Sequence, residues 1–280
     1  MKFIFKGYAL FILLVILIIV SLFIGMSQLS ILDVFLLNDE QKNILFSRRI
    51  PRTVSILLSG SSLALAGLIM QQIMQNKFVS PTTAGTIEWA KLGILKSLLF
   101  FPNGHILIKL LFAVALSIIG TFLFVRLINL IRVKEVIFVP LLGIMIGGIV
   151  SSFTTFVALR TNALQSIGNW LTGDFAIITN GRYEVLYLTI PLLILAFIFA
   201  NHFTIAGMGK DFSHNLGVSY EKIINVAFFI TAMLTALVVV TVGTLPFLGL
   251  IVPNIISIYR GDHLKNALPH THSCLVRFLF

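Results

Sequence analysis

The stretch YALFILLVILIIVSLFIGM, Tyr8 to Met26, holds no charged side chain, and its reading decides the fold class. An α-helix rises about 1.5 Å per residue, so about 20 apolar residues cross a hydrocarbon core about 30 Å thick. Lys2 and Lys6 precede the run. It is longer than the apolar segment of a secretory signal peptide, and no small-residue cleavage site follows it. It reads as a first membrane-spanning helix whose N-terminus lies in the cytoplasm.

Outward from that helix the pattern repeats. Apolar stretches follow at 53–74, 82–101, 106–127, 136–159, 184–203 and 223–242. A last one, 245–259, is shorter and contains Pro246 and Pro253, which can break it into half-helices or kink it. Gln75-Asn76-Lys77, Pro102-Asn103-Gly104 and Arg132-Val133-Lys134-Glu135 punctuate the runs. Two longer polar connections, 160–182 and 207–222, remain, the first with room for a short helix at 164–171.

Composition agrees. Hydrophobic residues make up 58% of the 280 and charged residues 11%, with a mean hydropathy of +1.04. Soluble domains carry about 25% charged residues. The expectation is an all-α integral membrane protein, a multi-pass helical bundle in the cytoplasmic membrane. The basic residues behind the net charge of +10 stand singly or in small groups between apolar runs, the habit of interfacial Lys and Arg rather than a nucleic-acid footprint. With the N-terminus inside, the inner connections hold Lys77, Arg126, Arg132, Lys134, Lys210, Lys222, Arg260 and Lys265. The outer ones hold Lys42, Arg48, Arg49, Arg52, Arg160 and Arg182, a modest inside excess.

Other chemistry is thin. Cys274 is the single cysteine, so there is no disulfide framework or cysteine metal site. No G-x-x-x-x-G-K-[ST] phosphate loop and no H-E-x-x-H occur. His263, His270 and His272 read as interfacial residues rather than zinc ligands. No metal or cofactor is expected on this chain.

Three motifs carry more. Arg49-Ile50-Pro51-Arg52 is followed by Gly60-Ser61-Ser62-Leu63-Ala64-Leu65-Ala66-Gly67, then by Gln71 or Gln72, Asn76, Pro81 and Gly85. Later comes Gly243-Thr244-Leu245-Pro246-Phe247-Leu248-Gly249-Leu250-Ile251-Val252-Pro253-Asn254, then Arg260-Gly261-Asp262-His263. Leu216-Gly217 stands between them, in the 207–222 connection. These blocks resemble the FecCD/BtuC-type permeases of type II ABC importers, over residues 1–269. Lys77 stands where that family often has proline.

The resemblance implies a permease subunit with about eight of the family's ten membrane helices present, importing an iron–siderophore. Relatives also carry haem or vitamin B12. It implies a homodimer or paired permease, cytoplasmic ATPase subunits that use the ATP, and an extracellular substrate-binding lipoprotein. By the same resemblance Arg49 and Arg52 dock the binding protein, for which a guanidinium's bidentate grip on carboxylates is suited. Otherwise they anchor a helix end among lipid headgroups. Lys210, Asp211, Phe212, Leu216 and Gly217 fall where the family couples to its ATPase. Gly60, Gly67, Gln71, Asn76, Pro81, Gly85, Gly249 and Pro253 are packing or pathway positions; small residues let helices approach closely in lipid. An ion-coupled secondary transporter is the rival, with Glu88 as its one intramembrane acidic residue.

Two departures stand out. Glu88 and Lys91 share a helix face where the family has small residues. Residues 270–280 depart from the family pattern and are too short to span a bilayer, as a truncation or frame change would leave them.

Overall fold

The computed structural model describes residues 7–23, 39–130, 137–178 and 180–260. The Arg132–Glu135 turn, Gly261-Asp262-His263 and the 270–280 segment lie outside the described residues. Among the described residues all regular structure is helical: α1 (Gly7–Phe23), α2 (Asp39–Ile44), α3 (Ile50–Ile73), α4 (Thr86–Phe100), α5 (Ile106–Leu130) and α6 (Phe138–Arg160). Then come α7 (Leu164–Leu171), α8 (Thr189–Ile198), α9 (Ala200–Ala206), α10 (Lys210–Asn215), α11 (Tyr220–Thr241) and α12 (Leu248–Arg260).

Among the described residues four helical segments are long and apolar enough to cross a membrane: Gln41–Ile73, Ile106–Leu130, Phe138–Arg160 and Tyr220–Thr241. Tyr183–Ile198 with Ala200–Ala206 makes a fifth if the pair, bent by 58°, is one span. Apolar stretches in α1 and α12 are shorter, and α4 has 15 residues. Each of the eight apolar runs read from the sequence thus contains a helix among the described residues.

Burial orders the bundle. Within Gln41–Ile73 the apolar stretch is 83% buried, and within Tyr220–Thr241 72%, against 33% for α5 and 28% for α6. The α3 and α11 helices are therefore the axis, with α4, α5, α9 and α12 packed around them. The main core joins Ile69 and Met70 of α3 to Phe124 of α5, Phe203 of α9, Phe228 of α11 and Val252 of α12. On α6, Leu141, Ile144, Met145, Ile149, Phe153 and Phe156 point away from the chain. Such a surface would be a liability in water and is ordinary against lipid or another apolar subunit.

Three boundaries differ from the sequence reading. The third run becomes helical only at Thr86, because Pro81 to Gly85 form a turn. There the Ser80 and Thr83 hydroxyls bond backbone groups (Ser80 N–H to Thr83 Oγ1, 2.8 Å) and compete with helix formation. Gly85 closes the turn at φ 77°, a left-handed conformation that a side chain disfavours. The sixth run begins as a 3₁₀ turn, Tyr183–Leu188, and bends again between α8 and α9. Pro253, finally, lies inside α12 without breaking it.

Candidate functional site

The candidate residues gather at the two ends of α3. At its N-terminal end a π-helical turn, Leu45–Arg49, leads directly into the helix. Pro51 has no N–H to give and its ring crowds the carbonyl four residues earlier; the widened turn accommodates both facts. It also changes which arginine faces out. Arg48 and Arg52 are exposed. Arg49 is only 8% exposed, and its Nη1 donates to the Leu22 carbonyl at 2.6 Å. That carbonyl lies near the end of the described part of α1. The Arg49–Arg52 pair read from spacing is therefore divided: Arg52 lies at the surface, and Arg49 joins α1 to α3.

Along α3 the small residues produce close contact. A methyl group built on Gly67 would lie 2.6 Å from the Gly249 carbonyl carbon and 2.9 Å from its Cα. The Gly67 Cα hydrogen is directed at the Gly249 carbonyl oxygen. Pro253, four residues on, has no N–H to bond that oxygen, so the proline in α12 and the glycine in α3 fit one another. Gly60 is buried on the same helix. Ser61 and Ser62 donate back to Leu57 and Leu58 at 2.6 Å each, so these hydroxyls are occupied within α3. Gln71 Nε2 reaches the Leu250 carbonyl at 3.4 Å; its buried Oε1 has no partner among the described residues.

The other end of α3 is a polar knot. Asn76, buried, accepts from the Phe78 N–H at 2.9 Å and shapes the turn. Lys77 Nζ donates to Ser257 at 2.6 Å, and Asn254 Nδ2 to the Lys77 carbonyl at 2.9 Å, tying the turn to α12. Pro81 packs beside Gly249. Gly85 lies against Gly143 and Gly147 of α6.

Beside this knot stands α10. Lys210 pairs with Glu221 at 3.3 Å, while Asp211, Phe212, Leu216 and Gly217 are exposed. Gly217 takes φ 71°, ending the α10 segment in a tight turn. Met208, Phe212 and Leu216 are 56%, 47% and 54% exposed, next to charged groups. Three large apolar side chains exposed together on a polar loop form a surface of the kind that partner contacts use.

Two arrangements went beyond the sequence motifs. Glu88 and Lys91 form an ion pair at 2.7 Å, and Glu88 Oε2 is buried with no partner among the described residues. At the Arg52 end, Trp170 of α7 lies 5.0 Å from the Lys109 ammonium and 4.1 Å from the Arg182 guanidinium. Lys109 also donates to the Gly104 carbonyl at 2.8 Å. Cation–π attraction of this kind clamps the short amphipathic α7 onto α5. Among the described residues no group of three or more His, Cys, Asp or Glu could hold a metal.

A bundle of apolar helices around a buried α3, with a cationic end and an exposed polar loop at the other, has the build of a membrane subunit of a transporter. The chain belongs to the FecCD transport family, which it matches over residues 13–276. It is 53% identical over 262 residues to the petrobactin import system permease protein YclN of Bacillus subtilis (strain 168), covering 94% of this chain and 83% of that one. It is 42% identical to the petrobactin import system permease protein FatD of Bacillus anthracis, over 82% of this chain and 69% of the relative. The ferric-anguibactin transport system permease protein FatD of Vibrio anguillarum is 38% identical, over 89% of this chain and 79% of its own. Among solved structures, one described as an inward-facing conformation of an ABC transporter of the metal-chelate type superposes with a TM-score of 0.82. It has 23% identity and covers 97% of this chain and 87% of its own; at that identity the likeness establishes the fold.

Proposed function

We propose that this chain is the permease subunit of an ATP-driven importer that moves a ferric siderophore across the cytoplasmic membrane. The observation that carries the reading is the 53% identity, sustained through 94% of the chain, to a permease named for petrobactin import. The N-terminus and the α10 end then face the cytoplasm, and the Arg52 end faces outward. ATP hydrolysis belongs to separate cytoplasmic subunits that cover Met208, Phe212 and Leu216. A second permease, identical or paired, and membrane lipid cover the apolar faces of α5 and α6. An extracellular binding lipoprotein delivers the chelate to the Arg52 end. Nothing in the chain needs a cofactor of its own for this; the work is a population shift between outward- and inward-open states.

The test is radio-iron uptake from ferric petrobactin in cells whose only copy is this permease with its ATPase and binding protein. Uptake that depends on ATP and is competed by petrobactin, not by haem or vitamin B12, supports the reading. Uptake that survives ATP depletion and collapses with the ion gradient replaces it with a secondary transporter. Docking has its own prediction. Arg52→Glu should lower uptake by about tenfold or more at limiting binding protein, since it sets two like charges face to face. Arg52→Lys should retain most of it. Equal uptake by Arg52→Glu and the parent would remove Arg52 from the docking surface.

A further inference from the structure

The turn after α3 and the connector before α10 meet in a contact between segments far apart in sequence. Gln75 occupies that turn with φ 49°, one of three non-glycine residues with positive φ among those described. A non-glycine side chain takes that conformation at a cost, so something holds it there. Its Nε2 donates to the Gly207 carbonyl, 132 residues away in sequence. Gly207 in turn lies flat on the last turn of α3. A methyl group there would come within 2.7 Å of the Gln72 carbonyl oxygen and 2.7 Å of its Nε2. Gly207 caps α9 and stands three residues before Lys210, the first residue of α10.

Beside the contact is a cavity of about 390 Å³, lined by Gln75, Asn76, Asn129, Gly209, Lys210 and Tyr220. The α10 segment packs on α9 and α11, where buried Ser213 donates to the Ile205 carbonyl and Lys210 pairs with Glu221, and it borders the open space on the side of the Gln75 turn. The cavity gives the start of α10 room beside the turn, and the Gln75–Gly207 bond ties that turn to the segment from which α10 begins. The same turn continues through Lys77 into α12, by the bonds to Ser257 and Asn254. The far end of α3 carries the exposed Arg52.

We propose that Gln75 is a positioning residue for transport: its bond to Gly207 is the joint that passes α10 movement to α3 and couples ATP hydrolysis to docking. This rests on the importer reading, and the test separates the two. Gln75→Glu keeps the length and shape but has no N–H to donate; Gln75→Lys keeps a donor. Both are made in the full permease–ATPase complex. Three quantities are read: co-purification of the ATPase, its basal hydrolysis, and the stimulation of hydrolysis by binding protein loaded with ferric petrobactin.

For Gln75→Glu, assembly and basal hydrolysis should stay at parental levels while stimulation and uptake fall by about tenfold, a typical size for coupling between sites. Gln75→Lys should restore most of both. Gly207→Ala, which wedges the joint apart, should resemble Gln75→Glu. Parental stimulation in Gln75→Glu overturns the proposal. So does a loss of assembly and basal hydrolysis together, which would mark the contact as merely structural. If the unaltered complex takes up ferric petrobactin without ATP, the importer reading itself has failed, whatever the variants do.

Discussion

Gly67→Val is expected to leave almost no folded permease in the membrane fraction. The atoms that a Gly67 side chain would strike are Gly249 backbone atoms, at 2.6 and 2.9 Å from its first carbon alone. No rotamer change relieves a clash with backbone, so α3 and α12 must separate. Separation also stretches the Gln71–Leu250 hydrogen bond between the two helices and the Asn254–Lys77 bond from α12 to the turn that follows α3. Lipid offers no compensating hydrophobic gain for helices that part, because tails are as apolar as the surfaces released. A forced overpacking of this kind costs about 3 kcal/mol or more, a large share of the 5–15 kcal/mol that holds a typical domain together. Gly148→Val on α6 is the matched control, since an added side-chain carbon there meets nothing within 4 Å. Detergent extraction with size-exclusion detection of a tagged chain gives the comparison. Parental yield and a monodisperse peak for Gly67→Val would refute the backbone contact.

That contact also illustrates what the sequence can and cannot disclose. Apolar runs long enough for a bilayer mark the helices because the hydrocarbon core sets a minimum length, and α7 lies over the predicted 164–171. Side-chain direction is less legible. Three arginines within five residues could face several ways, and only the π-helical turn at Leu45–Arg49 settles that Arg49 turns inward while Arg48 and Arg52 face out. Pro253 reads as a breaker in isolation; it is tolerated because a glycine on another helix takes up the carbonyl it leaves without a donor. The Trp170 clamp and the Gln75–Gly207 joint are assembled from distant segments, and no spacing rule along one helix brings such residues together.

Glu88→Ala is expected to be strongly damaging, and to be rescued by a second change. Glu88 sits in the first turn of that helix, where a carboxylate is favoured by the helix dipole. Its Cγ lies 3.5 Å from the point a methyl group on Gly147 would reach, so the carboxylate is wedged between α4 and α6. Lys91 answers it at 2.7 Å, and the two side chains are only 23% and 21% exposed. Removing one member of so sheltered a pair strands the other, at about 3–5 kcal/mol; removing both is often close to neutral. Glu88→Ala should therefore lower the melting temperature and yield of the detergent-solubilised complex, with ferric petrobactin uptake falling in proportion. Lys91→Ala should do so less, because the dipole still supports the carboxylate. The double variant Glu88→Ala, Lys91→Ala should return to near-parental stability and uptake, as a pair that serves packing requires. A double variant that folds like the parent yet transports nothing would instead place these charges in the path of the chelate.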